Sequence, residues 1–114
     1  MKRRFSADEL FELRNAIPIN VVIKDLLSIP SKESEGIFRF LCPKCHEFQT
    51  ATKSSTNLAR CFLCKENFNP IDLVMLVKES SFIESVTYLK GVLNQKRRIN
   101  EMLSAIARPI EARR

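Results

Sequence analysis

Two pairs of cysteines constrain this chain more than any other feature of its sequence. Cys42-Pro43-Lys44-Cys45 and Cys61-Phe62-Leu63-Cys64 contain all four cysteines of the 114 residues. Two residues separate the members of each pair, so a tight turn directs both sulfur atoms toward one point. Two such turns facing each other form a tetrahedral set of thiolates, which suits zinc. We therefore predict one structural Zn²⁺, with the ligands Cys42, Cys45, Cys61 and Cys64.

Disulfides, a redox pair and iron are the alternatives to zinc at these cysteines. Disulfide frameworks are typical of exported chains, and the sequence shows no secretory signal pattern. A thioredoxin-like site is not expected to use two such pairs on either side of a polar hairpin. Iron in a four-sulfur site uses the same ligands and stays open. His46, the only histidine, directly follows Cys45, and we expect it to lie at the surface or beside the ligands rather than on the metal.

The charge balance favours an anionic partner. The chain has 19 Lys and Arg against 13 Asp and Glu, a formal net charge of +6 and a pI of about 9.4. Nucleic acid is expected before a membrane, because no apolar run approaches the length that spans a bilayer. A solvated basic surface without a partner has the same composition, so charge alone does not decide. The length of 114 residues predicts one small domain. Reduced thiols without an export signal predict a cytoplasmic protein.

Helices are predicted before the first cysteine pair. Ser6 and Glu9 have the spacing of a capping box and open a first helix, which Pro18 interrupts. Asn20 is predicted to cap a second helix over residues 21–27.

A small antiparallel sheet is predicted around the cysteine pairs. Residues 31–36 are polar and end in glycine, which predicts a turn. The predicted strands are residues 37–41, 48–52 and 58–60, with a turn at 54–57 between the last two. The predicted fold is therefore α+β: a zinc ribbon over residues 37–68, flanked by helices.

Further helices are predicted after the second cysteine pair. Asn69-Pro70 predicts a helix start, and Ser81 with Glu84 predicts another that runs to about Leu93. The predicted core-facing side chains of these helices are Leu73, Val74, Val77, Phe82, Val86, Leu89 and Leu93. A last amphipathic helix, closed by Pro109, is predicted from the spacing of Ile99, Met102, Leu103 and Ile106.

Several local matches, in one order, carry a resemblance to a known family. Leu41-Cys42-Pro43 and Arg60-Cys61-Phe62-Leu63-Cys64 resemble its two metal knuckles, and residues 69–75 and 81–86 resemble its next two helices. In these features the run from residue 38 to residue 89 resembles the N-terminal zinc-binding domain of bacterial and phage DnaG-type DNA primases. Cys45 stands where the family usually has a histidine ligand, so this chain looks like a four-cysteine variant.

The resemblance implies a domain division and a function. Residues 1–94 would form the primase-type zinc-binding domain, and residues 95–114 a basic C-terminal helix, linker or docking segment. The chain would be a non-catalytic module that binds single-stranded DNA template during primer synthesis, either as a fragment of a longer primase or in trans. Its partners would be the template, a primase catalytic domain or subunit, and a helicase or other replication proteins, in a bacterial, phage or plasmid setting. The alternative is a transcription-type zinc ribbon that binds DNA or protein without a priming role.

DNA contact requires cations for phosphates and flat side chains for bases. The predicted contacts, on or beside the ribbon, are Arg39, Lys44, Lys53, Arg60, Phe62 and Lys65. Phe40 and Phe48 are further candidates for stacking on bases, and packing in the core is the competing interpretation of each. The acidic residues show no paired-carboxylate motif for nucleotidyl transfer, so we expect no catalysis from this chain alone.

Overall fold

The described part of the chain forms four helices around two small antiparallel sheets. The computed structural model describes residues 5–112, with side chains through residue 105. The elements, in chain order, are α1 (Ala7–Ala16), α2 (Ile19–Val21) continuing as a π-helical turn (Val22–Leu26), β1 (Ser31–Ser34), β2 (Ile37–Phe40), β3 (Thr50–Lys53), β4 (Leu58–Cys61), β5 (Glu66–Phe68), α3 (Pro70–Lys78) and α4 (Phe82–Ala112). The α+β class and the ribbon-type arrangement with flanking helices are confirmed.

The first helix begins as its sequence predicts. The hydroxyl of Ser6 accepts a hydrogen bond from the Glu9 amide at 3.0 Å, and the Glu9 carboxylate accepts one from the Ser6 amide at 3.2 Å. These two bonds satisfy amides that have no partner within the helix. The helix buries Leu13 and ends at Ala16, ahead of Pro18.

The prediction that Asn20 caps the second helix was wrong. Helix α2 begins at Ile19, and the amides of Val21 and Val22 both donate to the Pro18 carbonyl. Pro18 can precede a helix because its missing N–H would have no helical partner there. Asn20 therefore lies inside the helix, where its Oδ1 atom is buried without a hydrogen-bond partner among the described residues.

The prediction of a turn over residues 31–36 was wrong for its first four residues. Ser31–Ser34 forms β1, which pairs antiparallel with β2 so that Ser31 faces Phe40. Only Glu35 and Gly36 form the turn, with φ of 54° and 77°, as two-residue hairpin loops require. Strand β1 escaped prediction because it is an exposed edge strand, and its polar side chains show no alternation of apolar and polar residues.

The second sheet has the strand order β3-β4-β5 and is antiparallel throughout. Strand β5 was not predicted, since it has only three residues and two of them are polar. Thr50 joins this sheet to the first one. Its buried hydroxyl accepts from the Phe40 amide at 2.8 Å and donates to the Phe40 carbonyl at 2.6 Å. The side chain of Thr50 thus makes the hydrogen bonds with Phe40 that the backbone of a second neighbouring strand would otherwise make.

Helix α3 begins at the predicted cap. The side chain of Asn69 accepts from the Asp72 amide at 2.8 Å, and the Asp72 carboxylate accepts from the Asn69 amide at 3.1 Å. Leu73 and Val74 are buried as predicted, whereas Val77 is half-buried at the edge of the core.

Helix α4 also has its predicted start, but it is longer than predicted. Ser81 and Glu84 exchange two hydrogen bonds at its first turn. Its buried residues match the prediction at Val86, Leu89 and Leu93. Phe82 does not match the prediction, because it lies at the first turn, forms a T-shaped ring contact with Phe5 and remains 42% exposed.

The predicted last helix is the second half of α4 rather than a separate element. Residues 92–108 contain neither Gly nor Pro, so nothing in the backbone ends the helix, and it remains helical through Pro109 to Ala112. The predicted closure at Pro109 was therefore wrong. Ile99, Met102 and Leu103 are 49%, 57% and 60% exposed, and the side chain of Ile106 lies outside those described. Over the described residues, no helix combines the length and apolar content needed to cross a membrane.

Candidate metal centre

The two cysteine pairs bring four sulfur atoms within 4.8 Å of one another. The Cys42 and Cys64 sulfurs are 3.9 Å apart, and those of Cys45 and Cys61 are 3.5 Å apart. A disulfide would require about 2.05 Å. Four thiolates at about 2.3 Å from one ion form a tetrahedron with edges of about 3.8 Å. The four free cysteines therefore fit the ligand set of a single tetrahedral metal ion.

Backbone geometry turns each pair inward. The Lys44 amide points at the Cys42 sulfur, and the Cys64 amide points at the Cys61 sulfur, each at 3.4 Å. The residue directly after each pair, His46 or Lys65, has a left-handed conformation with φ of 61° or 58°. These two left-handed residues could not be predicted, because glycine is the usual residue at such a position and neither is glycine. The exposed side chain of His46 is not part of the sulfur cluster.

The sheets anchor one cysteine of each pair in the core. Cys42 lies two residues after the end of β2 and Cys61 ends β4, and both are completely buried. Cys45 and Cys64, the second members, are only half-buried. Two of the candidate ligands are therefore held in the folded core, whereas the other two are partly accessible to solvent.

The thiols influence one another's ionisation. Burial acts to raise the pKa of Cys61, but hydrogen bonds from the Cys64 amide and the neighbouring thiols outweigh it and lower the pKa to about 7. Burial, together with hydrogen bonds to the other three thiols, raises the pKa of Cys64 to about 12. Burial also raises the pKa of Cys45. Cys61 therefore loses its proton readily, and its negative charge disfavours ionisation of the neighbouring thiols. A cation is needed to hold all four cysteines as thiolates.

Lys44, a predicted DNA contact, is held in an ion pair. Its ammonium lies 2.7 Å from a carboxylate oxygen of Glu66, and this hydrogen bond raises the pKa of Lys44. Both residues line a depression of about 490 Å³ that also contains Asp72 and Glu79. Three carboxylates surround one ammonium there, which disfavours a polyanion.

Three other predicted contacts line one groove on the outer face of the second sheet. Along its strands, the buried inward side chains are Thr50, Ala59, Cys61 and Phe68. Lys53, Arg60 and Phe62 line a groove of about 470 Å³ on the opposite side, and its described lining contains no Asp or Glu. We call this the sheet groove.

Arg60 is positioned within the sheet groove by two neighbours. Its guanidinium donates to the Asn67 side chain at 3.1 Å and lies 5.8 Å from the centre of the Phe62 ring. Half of the surface of Phe62 is exposed, although the residue is next to Cys61, a candidate metal ligand. The groove thus offers a cation and a half-exposed aromatic ring side by side.

The remaining predicted contacts lie elsewhere. Arg39 donates to the Thr50 carbonyl at 3.0 Å and is half-buried, and Lys65 is exposed in the second knuckle. Phe40 is completely buried, so its interpretation as a base-stacking group was wrong. Phe48 is half-buried, and the ammonium of Lys32 lies 4.8 Å from its ring centre.

Asn57 is the important residue that sequence reasoning missed. Its side-chain oxygen accepts from the Ile19 amide at 2.7 Å, and its side-chain nitrogen donates to the carbonyls of Arg14 and Ile17 at 2.7 and 2.9 Å. Asn57 is buried in a left-handed conformation, which asparagine tolerates better than most residues. These bonds fasten the β3–β4 turn to the junction between α1 and α2. Only its place in a turn was visible in the sequence.

The fold and the sulfur cluster together define a class: a small α+β protein with a four-cysteine, ribbon-type metal centre flanked by helices. No protein-family model matches the sequence, and no curated protein matches it. Any function must therefore be argued from the metal centre and the surfaces around it.

Proposed function

We propose that this chain is a zinc-binding, non-catalytic module of the DNA primase type, which binds single-stranded template during primer synthesis. The observation that carries the proposal is the sheet groove beside the metal centre. It combines Lys53, Arg60 and the exposed ring of Phe62, without a carboxylate in its described lining. Cations with an open aromatic face are the combination that binds unpaired strands.

The metal in this proposal is zinc. An all-sulfur, tetrahedral and largely closed site suits a structural Zn²⁺, and it offers no open position for catalysis. Elemental analysis of protein purified without added metal is expected to give about one zinc per chain. A coloured protein with sulfur-to-iron absorption bands would instead identify the iron alternative.

The primase role rests on the resemblance of the two knuckles and the following helices to primase zinc-binding domains. Nucleotidyl transfer in this proposal belongs to a separate catalytic core, which this chain would assist in cis or in trans. Adding the purified chain to a primase catalytic core is expected to increase primer synthesis on a single-stranded template. No stimulation by any core from bacteria, phage or plasmids would contradict the in-trans role.

The DNA-binding part is tested by fluorescence anisotropy with labelled single-stranded and duplex oligonucleotides. We expect preference for the single strand and a steep loss of affinity between about 50 mM and about 200 mM salt. Arg60→Glu is expected to weaken binding without loss of metal. The matched control is Lys24→Glu, which makes the same charge change at an exposed position on the π-helical turn. Equal weakening by both variants would mean that charge alone, and not the sheet groove, determines binding.

The second half of α4 favours a protein-interaction function as the second candidate. Ile99, Met102 and Leu103 expose about half or more of their surfaces on one helix. Such a row of apolar side chains is typical of a helix that docks on another protein. A chain that binds neither single strands nor duplexes at low salt, but binds a replication or transcription protein through these residues, would support the adapter function instead.

A further inference from the structure

A second depression continues the sheet groove onto helix α1. It has a volume of about 460 Å³ and is lined on one side by Phe11, Arg14 and Asn15. Thr56 and Leu58 line both this depression and the sheet groove. The two concave surfaces therefore meet along the β3–β4 turn and the start of β4.

Phe11 is the feature of α1 that the hydrophobic core does not explain. It is 64% exposed, the largest exposure among the large apolar side chains described. Leu13 is the buried residue of this helix. Two residues correspond to about 200° of rotation around a helix, so Phe11 lies on nearly the opposite side from Leu13. Its ring faces the second depression and is available to a ligand.

The charges along both depressions have one sign. Arg14 lines the second depression, and Lys53 and Arg60 line the sheet groove, whereas the described lining of either contains no Asp or Glu. The chain has 13 acidic residues, and three of them line the depression beside Lys44. The continuous surface is thus complementary to a polyanion, in contrast to that other depression.

Asn57 fixes the two depressions relative to each other. It lines the second one, and its hydrogen bonds to Arg14, Ile17 and Ile19 hold the β3–β4 turn against the end of α1. The aromatic ring of α1 and the cations of the sheet therefore belong to one preorganised surface, which reduces the entropic cost of binding.

We infer that the two depressions form a single track for one nucleic-acid strand. The strand runs from Phe62 at the second knuckle, past Arg60 and Leu58, to Phe11 and Arg14 on α1. Phe62 and Phe11 stack on bases near the two ends, and the cations contact the phosphates between them. This inference rests on the proposed function and adds the α1 half of the binding surface to it.

The test compares labelled oligothymidylates of about 4 and about 12 nucleotides, within the range of site sizes of small single-strand-binding folds. The wild-type chain is expected to bind the longer strand more tightly. Phe11→Ala is expected to weaken binding of the longer strand about 10-fold, as loss of one stacked base does, and to change binding of the shorter strand much less. Arg14→Gln is expected to have a similar length-dependent effect and to reduce the salt slope by about 0.7.

Matched controls distinguish binding along the track from a general effect of removing an exposed apolar side chain or a positive charge. Ile83→Ala removes another exposed apolar side chain, on α4, and Lys24→Gln removes another exposed cation. Both controls are expected to leave the length dependence unchanged, and all variants should keep the wild-type metal content and thermal midpoint.

The outcomes distinguish this inference from the proposed function. If Arg60→Glu weakens binding while Phe11→Ala and Arg14→Gln bind both strands like the wild type, the track is overturned and the sheet groove stands. If the wild-type chain binds no single strand at low salt, both fail. If duplex DNA binds as tightly as the longer single strand and the Phe11 variant affects both equally, the single-strand track is also overturned.

Discussion

The substitution Asn57→Ala tests how the sheet and the first two helices are held together. Alanine removes an acceptor for the Ile19 amide and two donated hydrogen bonds, to the Arg14 and Ile17 carbonyls. Ile17 and Ile19 are buried, so water cannot easily replace the lost partner there. Alanine must also adopt the left-handed conformation of Asn57, with φ of 56°.

The expected cost follows from these losses. Each of the three lost hydrogen bonds contributes about 1 kcal/mol net, which together gives about 3 kcal/mol. The left-handed conformation adds about 1 kcal/mol for alanine. We expect Asn57→Ala to reduce the free energy of unfolding by about 4 kcal/mol, a large fraction of the stability of a small domain. At about 4–8 °C for each kcal/mol, the thermal midpoint falls by at least about 15 °C.

The measurement is denaturant and thermal unfolding of the metal-loaded protein at one metal concentration, followed by circular dichroism. The matched control is Asn67→Ala, which removes an exposed amide that accepts one hydrogen bond from Arg60. It is expected to change the free energy of unfolding by no more than about 0.5 kcal/mol. If Asn57→Ala were as mild as this control, the hydrogen bonds of Asn57 would not hold the turn to the helices.

Three further predictions concern the metal centre, the junction of the sheets and the depression beside Lys44. Cys42→Ser is expected to reduce metal content below one ion per chain and to abolish cooperative unfolding, as elemental analysis and thermal scans would show, because metal binding and folding are coupled; unchanged metal content would contradict this. Thr50→Val leaves the buried Phe40 amide and carbonyl without their partner and should cost about 2 kcal/mol in denaturant unfolding, whereas an equal loss in the half-buried control Thr52→Val would refute the role of the hydroxyl. Lys44→Ala should leave single-strand affinity nearly unchanged in anisotropy titrations, since its ammonium is already paired with Glu66; a loss as large as that of an Arg60 variant would show that Lys44 contacts the strand.

Local signals in the sequence predicted the helix starts well. The predicted caps Ser6, Asn69 and Ser81 each bond to a residue only three positions later, and the structure has all of them. The cysteine spacing acts over a similar range, since each pair forms its own turn. Such features depend only on residues that are close together in the chain, so they can be predicted from the sequence alone.

Some features were not predicted because they depend on residues distant in the sequence. Others were not predicted because their residues lack a recognisable pattern. Asn57 binds groups about 40 residues earlier in the chain, and nothing in its own neighbourhood indicates them. Strand β1 is polar because it faces water, so it carries no apolar pattern. Asn20 resembles a cap by type, yet Pro18 starts the helix before it. The sheet groove and the second depression, likewise, exist only after the strands and α1 have assembled.

The bonds of Asn57 have a consequence for how the molecule responds to its ion. Through them, the β3–β4 turn, which leads into the strand that ends at Cys61, and the entry to α2 form one cooperative unit. Amide hydrogen exchange should therefore slow at Ile19 when the sulfurs are loaded and accelerate when a chelator strips them, although Ile19 is no ligand. Metal occupancy would then regulate the rigidity of a helix junction that the ion never touches.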